Sequence, residues 1–399
     1  MISIRRLRLI RILLCCAAAS GSAVLLAGCW DRVEVNDLAI VTAAGFDAAE
    51  NNRIKLSVQL FVPTASSTTQ SMGESTSTGG GTQVIVKSAV GINTADAASK
   101  LQQLLSRRLF WGQADSFIFG ESLARRGLKD PYDFLIRHPQ PRERADLYIS
   151  KGDAESVLAW QPAIERNSSE VLREMSNLKT AVNVTLLQSV VQLTDEAHTT
   201  LIPLVSMKKV GQEKPTIYIN GSAAIKDLKM KHLFNTFEMR GLMWLRNEVE
   251  TTTLSVRVPE EDGVASLRLL SSHTRLKPAI RNGEWIMRIK MEAEGNIDEN
   301  STTVDVSSAE KLEEFETLFE NELKRRVAKA IESAQQAGTD VVGFAEQFNH
   351  RYPHQWKAHK ADWDRLFPTV KTEYDVTVNI LRSGLIGRNE VLKLSEEEQ

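Results

Sequence analysis

The chain has 399 residues with 49 basic and 51 acidic side chains, a formal charge of −2 and 42% hydrophobic residues. So even a balance speaks against a nucleic-acid binder and against electrostatic attachment to anionic lipid. Its three cysteines, Cys15, Cys16 and Cys29, all fall in the first thirty positions and leave no thiol downstream for a disulfide framework, a metal site or a nucleophile.

The N-terminus reads "MISIRRLRLIR", with four arginines ahead of the first acidic residue, Asp31, and continues as the uncharged run "ILLCCAAASGSAVLLAG". A basic stretch, a short apolar stretch and a small-residue exit are the three parts of a secretory signal. An uncleaved membrane anchor is the alternative reading. The run is at the lower edge of the roughly 17–25 residues that span a bilayer, however, and Ser20, Gly21 and Ser22 interrupt it.

Leu26, Ala27, Gly28 and Cys29 resemble the bacterial lipobox. Small residues there admit the backbone to a peptidase, and the thiol is the nucleophile that takes up a diacylglyceryl group. The expectation is a signal peptide over 1–28 and a mature chain that opens at a lipidated Cys29. Losing the four arginines takes the formal charge from −2 to −6. Two acyl chains hold a protein stably where one does not. The expected location is therefore the outer face of the cytoplasmic membrane, with the covalent acyl lipid of Cys29 as the sole attached group and no metal.

Residues 29–205 are expected as an N-terminal domain. "LAIVTAAGFDA" and "RIKLSVQLFV" flank "AENN" as a hairpin, with Ile54, Leu56, Val58 and Leu60 alternating. The Ser, Thr and Gly-rich stretch 64–82 reads as a flexible loop, without the lysine or spacing of a phosphate loop. "TQVIVKSAV" resumes a strand. A helix follows, with Thr94 as N-cap and Ala97, Leu101, Leu104, Leu105 and Leu109 on one face. The segment from Ala114 to Trp160 then gives strand, helix, helix, strand, helix. The pairs Arg107–Arg108 and Arg125–Arg126 read as solvated helix faces rather than a binding patch.

Residues 206–390 are expected as a C-terminal region, divisible into a small middle domain over 215–262 and an α+β domain over 263–390. "TLIPLVSMKKVGQEKP" (200–215) reads as a connector, and "TIYINGSAAIKDLKMKHLF" as a strand pair. Asn235 and Glu238 have capping-box spacing ahead of a short helix. Two strands follow, and Asn282–Gly283 marks a tight hairpin into the long alternation of "RNGEWIMRIKMEAEGNI". The helix over 307–338 starts with Ser307 and Glu310 at capping-box spacing. It buries Leu312, Phe315, Phe319, Leu323, Val327, Ile331 and Ala334 as one stripe and stops at Gly338. The last strand, "YDVTVNILRSGLI", precedes an acidic tail over 391–399. The fold class is α+β: multi-domain, with mixed or antiparallel sheets flanked by helices.

Signs of catalysis are sparse. His350 and His354 are four residues apart, but Pro353 between them breaks the helix that would set both on one metal. No nucleophile elbow, nucleotide fingerprint or calcium loop occurs. A solute-binding lipoprotein of a transporter shares the lipobox and the size, but predicts two doubly wound lobes where the long C-terminal strands favour antiparallel pairing. An extracytoplasmic hydrolase lacks its nucleophile.

Three stretches in this order resemble one family over essentially the whole chain: "GCWDRVEVNDLAIV" (28–41), "SRRLFWGQADSFIFGESLARRGL" (106–128) and "VVGFAEQFNHRYPHQWKAHKADWDRLFP" (341–368). The chain is similar to the Ger(x)C lipoproteins, the C subunits of spore germinant receptors. That resemblance implies a non-enzymatic, lipidated protein that assembles with A-type and B-type integral-membrane subunits to detect nutrients and start germination. It implies packing roles for Phe344, Tyr352, Pro353, Trp356, Trp363 and Phe367, and carries over Cys29 alone as a functional residue.

Overall fold

The computed structural model describes residues 11–17, 34–61, 84–209, 215–250, 252–259 and 263–382. The lipobox residues Leu26, Ala27, Gly28 and Cys29, the loop 64–82 and the tail 391–399 lie outside the described residues. No helix among the described residues is long and apolar enough to cross a membrane.

β1 (Leu38–Ala48) and β2 (Ile54–Phe61) form the expected hairpin. Its turn puts Asn51 and Asn52 at φ 55° and 57°, the left-handed region that asparagine tolerates better than most residues. β3 (Val84–Gly91) adds to β2, and α1 (Thr94–Gln103) follows. The cap of α1 is Asn93, whose side chain accepts the Asp96 N–H, and not Thr94. The helix is also shorter than its periodicity suggests. Leu104 is exposed, and Leu109 sits in a short strand, β4 (Arg108–Phe110), parallel to the start of β1.

β5 (Ser116–Gly120), α2 (Glu121–Arg126), α3 (Lys129–Arg137), β6 (Asp146–Ser150) and α4 (Ala154–Ala159) keep the expected order. Two helices without a sequence-based counterpart come next, α5 (Ser168–Asn177) and α6 (Leu186–Thr194), the latter closed by a Thr185–Gln188 capping box.

The expected connector at 200–215 is largely a strand, β7 (Thr199–Lys208), buried from Thr199 through Ser206. An apolar run that is covered on both faces shows no alternation, which hides it from a period-two reading. β8 (Thr216–Lys226) pairs with β7 and β9 (Lys229–Asn235) with β8, so the first sheet runs β3-β2-β1-β5-β6-β7-β8-β9, with β4 beside β1.

α7 (Thr236–Leu245) carries the predicted capping box between Asn235 and Glu238. β10 (Thr253–Arg257), β11 (Val264–Arg281), β12 (Glu284–Asn300) and β13 (Lys371–Arg382) make the second sheet in that order. β11 and β12 turn at Asn282 and Gly283, at φ 51° and 81°. Between β12 and β13 run α8 (Ala309–Gln336), α9 (Phe344–Arg351), α10 (Pro353–His359) and α11 (Trp363–Leu366). This crossover makes the β12–β13 pairing parallel and the sheet mixed. Ser308, not Ser307, caps α8, accepting the Lys311 N–H, and Gly338 past its end sits at φ 62°. The stripe from Phe315 to Ala334 is buried as expected, with Leu312 at its margin.

α8 lies tight on α7. A Cβ on Gly241 would come within 2.6 Å of the Arg326 carbonyl and 2.7 Å of the Ala330 methyl. One apolar core joins Leu201, Ala224 and Phe234 of the first sheet to Leu254, Met287 and Ile289 of the second, and α8 fills it with Phe315 and Phe319. The chain is an α+β protein whose two mixed sheets share a core.

Candidate functional site

The seam between the two sheets is built around the turn from α8 into α9. Asp340 is buried there, and its carboxylate accepts the N–H groups of Gly343 and Phe344, both at 2.9 Å, and of Ala345 at 2.7 Å. Those donors are the first of α9, which has no earlier turn to satisfy them. Gly343, at φ 82°, lets the backbone double back over the carboxylate. The indole Nε1 of Trp363 donates to the same carboxylate at 3.2 Å. Burial pushes the Asp340 pKa up, and the backbone and indole donors pull against it.

Around that carboxylate the aromatic side chains interlock. The Trp363 ring lies 4.9 Å from Trp356 and 5.9 Å from both Phe348 and Phe367, and Trp285 of β12 stands 4.6 Å from Phe348. Such tilted and edge-on contacts suit ring quadrupoles.

The first sheet reaches this cluster with polar groups. Thr199 Oγ1 donates to the Asp340 carbonyl at 2.6 Å. Lys226 donates to the Gly338 carbonyl at 3.2 Å and pairs with Asp364. Asn349 donates to Glu196 at 3.2 Å. Glu346 shares a hydrogen bond with Asp195. Its pKa is raised to about 7, first by burial and then by that bond and the neighbouring charge.

A cleft of about 700 Å³ opens beside these groups, with Asp195, Arg246, Asn247, Glu248 and Glu346 in its wall. Arg246 donates from Nε to Glu248 at 2.7 Å and from Nη1 to the Val341 carbonyl at 3.0 Å. Chemically, the arrangement raises the proton affinity of Glu346 and fixes the start of α9 against β7.

The residues singled out in the sequence fall elsewhere or take other roles. His350 lies in the last turn of α9, Tyr352 breaks the helix, and Pro353 opens α10, so His350 and His354 stand exposed on separate helices. No group of three His, Cys, Asp or Glu side chains among the described residues is arranged to hold a metal ion. Arg107 and Arg108 are exposed in a turn and at the start of β4 rather than on a helix. Arg125 pairs with Glu121 at 2.8 Å on α2, and Arg126 donates to the Arg53 carbonyl at 2.8 Å. Phe344, Trp356, Trp363 and Phe367 are buried in the aromatic cluster and Tyr352 is packed at its edge, whereas Pro353 is exposed and acts as a helix starter. Asp340, Thr199 and Lys226 were not anticipated. An aspartate three residues ahead of Gly-Phe is the one local hint of the α9 cap.

Comparison with known proteins bears on the whole chain. Residues 31–207 match the family described as "Spore germination protein N-terminal domain", and residues 220–384 match "Spore germination B3/ GerAC like, C-terminal". The chain belongs to the Ger(x)C family of spore germination proteins. It is 27% identical over 371 residues to YfkR of Bacillus subtilis (strain 168), covering 91% of this chain and 94% of YfkR. It is 25% identical over 394 residues to spore germination protein KC of the same organism, covering 93% and 95%. The crystal structure of the GerBC protein superposes with a TM-score of 0.57 at 18% identity, over 85% of this chain and 96% of that one, a likeness of fold.

In this Ger(x)C protein the gap between the two family matches, 207 to 220, falls between β7 and the middle of β8. Those strands pair over ten positions, from Thr199 with Lys226 to Lys208 with Thr216. The first sheet is therefore assembled from both family segments. The Asp340 seam ties the segments together a second time.

Proposed function

We propose that this chain is the C subunit of a spore germinant receptor, lipid-anchored through Cys29 at the outer face of the cytoplasmic membrane. It acts as a non-enzymatic partner of A-type and B-type membrane subunits in the response to nutrients. One observation carries the reading: both family segments match in order, behind a Leu-Ala-Gly-Cys sequence that ends two residues before the first match begins at residue 31. A diacylglyceryl anchor confines the body to the membrane plane and raises its effective concentration beside membrane partners. The shared apolar core also speaks against the transporter alternative, since a solute-binding protein that opens by a hinge needs lobes free to part.

The test is fractionation of the native chain and its Cys29→Ala variant, with the mass of the N-terminal peptide. The reading expects a peptide beginning at Cys29 with an acyl lipid attached, and release of the variant from membranes. An unmodified Cys29 in a membrane-retained chain would contradict it.

A further inference from the structure

β10 pairs with β11 only over Val264–Arg268, and no other strand among the described residues covers the outer edge of β11 beyond that point. One contact reveals which backbone groups this edge presents. The Asn247 side chain accepts the Thr274 N–H at 2.6 Å and donates to the Thr274 carbonyl at 2.9 Å. Thr274 therefore turns its main-chain groups away from β12, as the non-hydrogen-bonded member of its pair with Met291. The register between β11 and β12 holds without a shift from Ser271 to Arg281, so Leu276, Pro278 and Ile280 share that orientation. Pro278, which has no N–H, stands where none is needed by the ladder. Leu276 and Ile280 each present an N–H and a carbonyl outward, and Pro278 presents a carbonyl.

The last turn of α9 runs beside this edge, and the two bound a groove of about 630 Å³. Its cationic and imidazole lining consists of Lys277, Arg281, Arg288, His350 and Arg351. Arg288 is already paired with Glu373 at 2.7 Å, which leaves the charge of Lys277, Arg281 and Arg351 to meet an occupant. Strand alternation divides what an incoming chain would meet. Leu276 and Ile280 are partly buried against the core, together with Tyr352, whereas Lys277 and Arg281 face solvent.

We infer that this groove is a strand-addition site, occupied by an extended segment of a partner polypeptide in which apolar and acidic residues alternate. The main-chain groups of Leu276, Pro278 and Ile280 supply the ladder. Apolar side chains of the segment lie against Leu276 and Ile280, and its carboxylates meet Lys277 and Arg281. Asn247 already fills the next position of the edge at Thr274 and sets where the added strand must stop. The inference rests on the partner-binding reading above for the source of the segment, not for the geometry.

The probe is a fluorescein-labelled hexapeptide of alternating Glu and Val, titrated into the full chain in detergent and followed by anisotropy, with hydrogen exchange at single-residue resolution. Binding should weaken with salt, and the amides of Leu276 and Ile280 should slow on peptide addition. Affinity should fall about tenfold or more in the Lys277→Glu, Arg281→Glu double variant. It should fall similarly in Ile280→Pro, which removes an outward donor and leaves the β12 ladder intact. Far-UV circular dichroism checks that each variant is folded.

Equal binding of an alternating Lys and Val peptide, or unchanged affinity in both variants, would overturn the inference. So would amides of Leu276 and Ile280 that are already slow in the free chain and quicken when residues 383–399 are deleted. That outcome would make the chain's own Glu396–Glu398 tail the occupant. Acylation of Cys29 is read out separately, so failure here leaves the receptor reading standing.

Discussion

Replacing Asp340 with alanine removes the acceptor for three backbone donors at 2.7–2.9 Å and for the Trp363 indole at 3.2 Å. Phe344 and Ala345 are buried, so water reaches their N–H groups poorly once the carboxylate is gone. Each buried donor left unpaired costs about 1–3 kcal/mol, and losing a helix cap costs about 0.5–2 kcal/mol, so the sum is several kcal/mol. Removing a desolvated carboxylate gives part of that back, because burial holds its pKa up. The expected loss is about 3–5 kcal/mol. Asp340→Asn keeps one acceptor oxygen but sets an amide N–H against a backbone N–H, and should lose about half as much. Urea unfolding followed by tryptophan fluorescence reads this directly, since Trp285, Trp356 and Trp363 all stand in the cluster. A loss below about 1 kcal/mol in Asp340→Ala would refute the idea that this carboxylate organises the seam.

Three further outcomes follow from other parts of the molecule. Burial and the neighbouring Asp195 raise the Glu346 pKa from the ordinary glutamate range to about 7, so the folded chain holds this proton more tightly than the unfolded chain. Its contribution is complete below about pH 4.5 and is lost as pH rises through about 7, on the order of 1–2 kcal/mol once solvent screening of this partly exposed group is allowed for. Glu346→Gln should flatten that decline in urea midpoints between pH 5 and 7.5, and an unchanged slope would place the proton elsewhere. Gly241→Ala forces a methyl against the Arg326 carbonyl and should cost about 1–3 kcal/mol, seen as a lower Tm. A Tm equal to that of the native chain would mean α7 and α8 are not in close contact. Thr199→Val removes the hydroxyl that joins β7 to the Asp340 carbonyl and should cost about 1–2 kcal/mol in the same urea assay. A neutral result would show that this bond does not hold the sheets together.

Local patterns were legible where residue type itself alternates or a turn or cap has a fixed spacing. β2 alternates apolar Ile54, Leu56, Val58 and Leu60 with polar Lys55, Ser57 and Gln59, although both its faces are largely covered. The Asn282–Gly283 turn and the capping box of α7 follow from spacing, and the stripe of α8 is legible because its other face is wet. β7 was not legible, since it is covered on both faces and its apolar run carries no alternation. α1 looked longer than it is because Leu104, Leu105 and Leu109 continue a helical spacing by chance into a turn and β4. The seam was out of reach for a different reason. Thr199 and Asp340 are 141 positions apart, and Lys226 and Asp364 are 138 apart, so nothing local joins them. The aromatic residues of 344–367 were recognisable through family resemblance, while the carboxylate they surround was not.

The most direct test of the receptor assignment is germination in a sporulating host carrying Cys29→Ala at the native locus, scored with single nutrients beside a full deletion of the gene. The account predicts that the deletion abolishes the response to at least one nutrient class, and that Cys29→Ala weakens the same response while the protein leaves the spore membrane. Undiminished germination on every nutrient in the deletion strain, with uptake of a solute lost instead, would contradict it and favour the transporter reading.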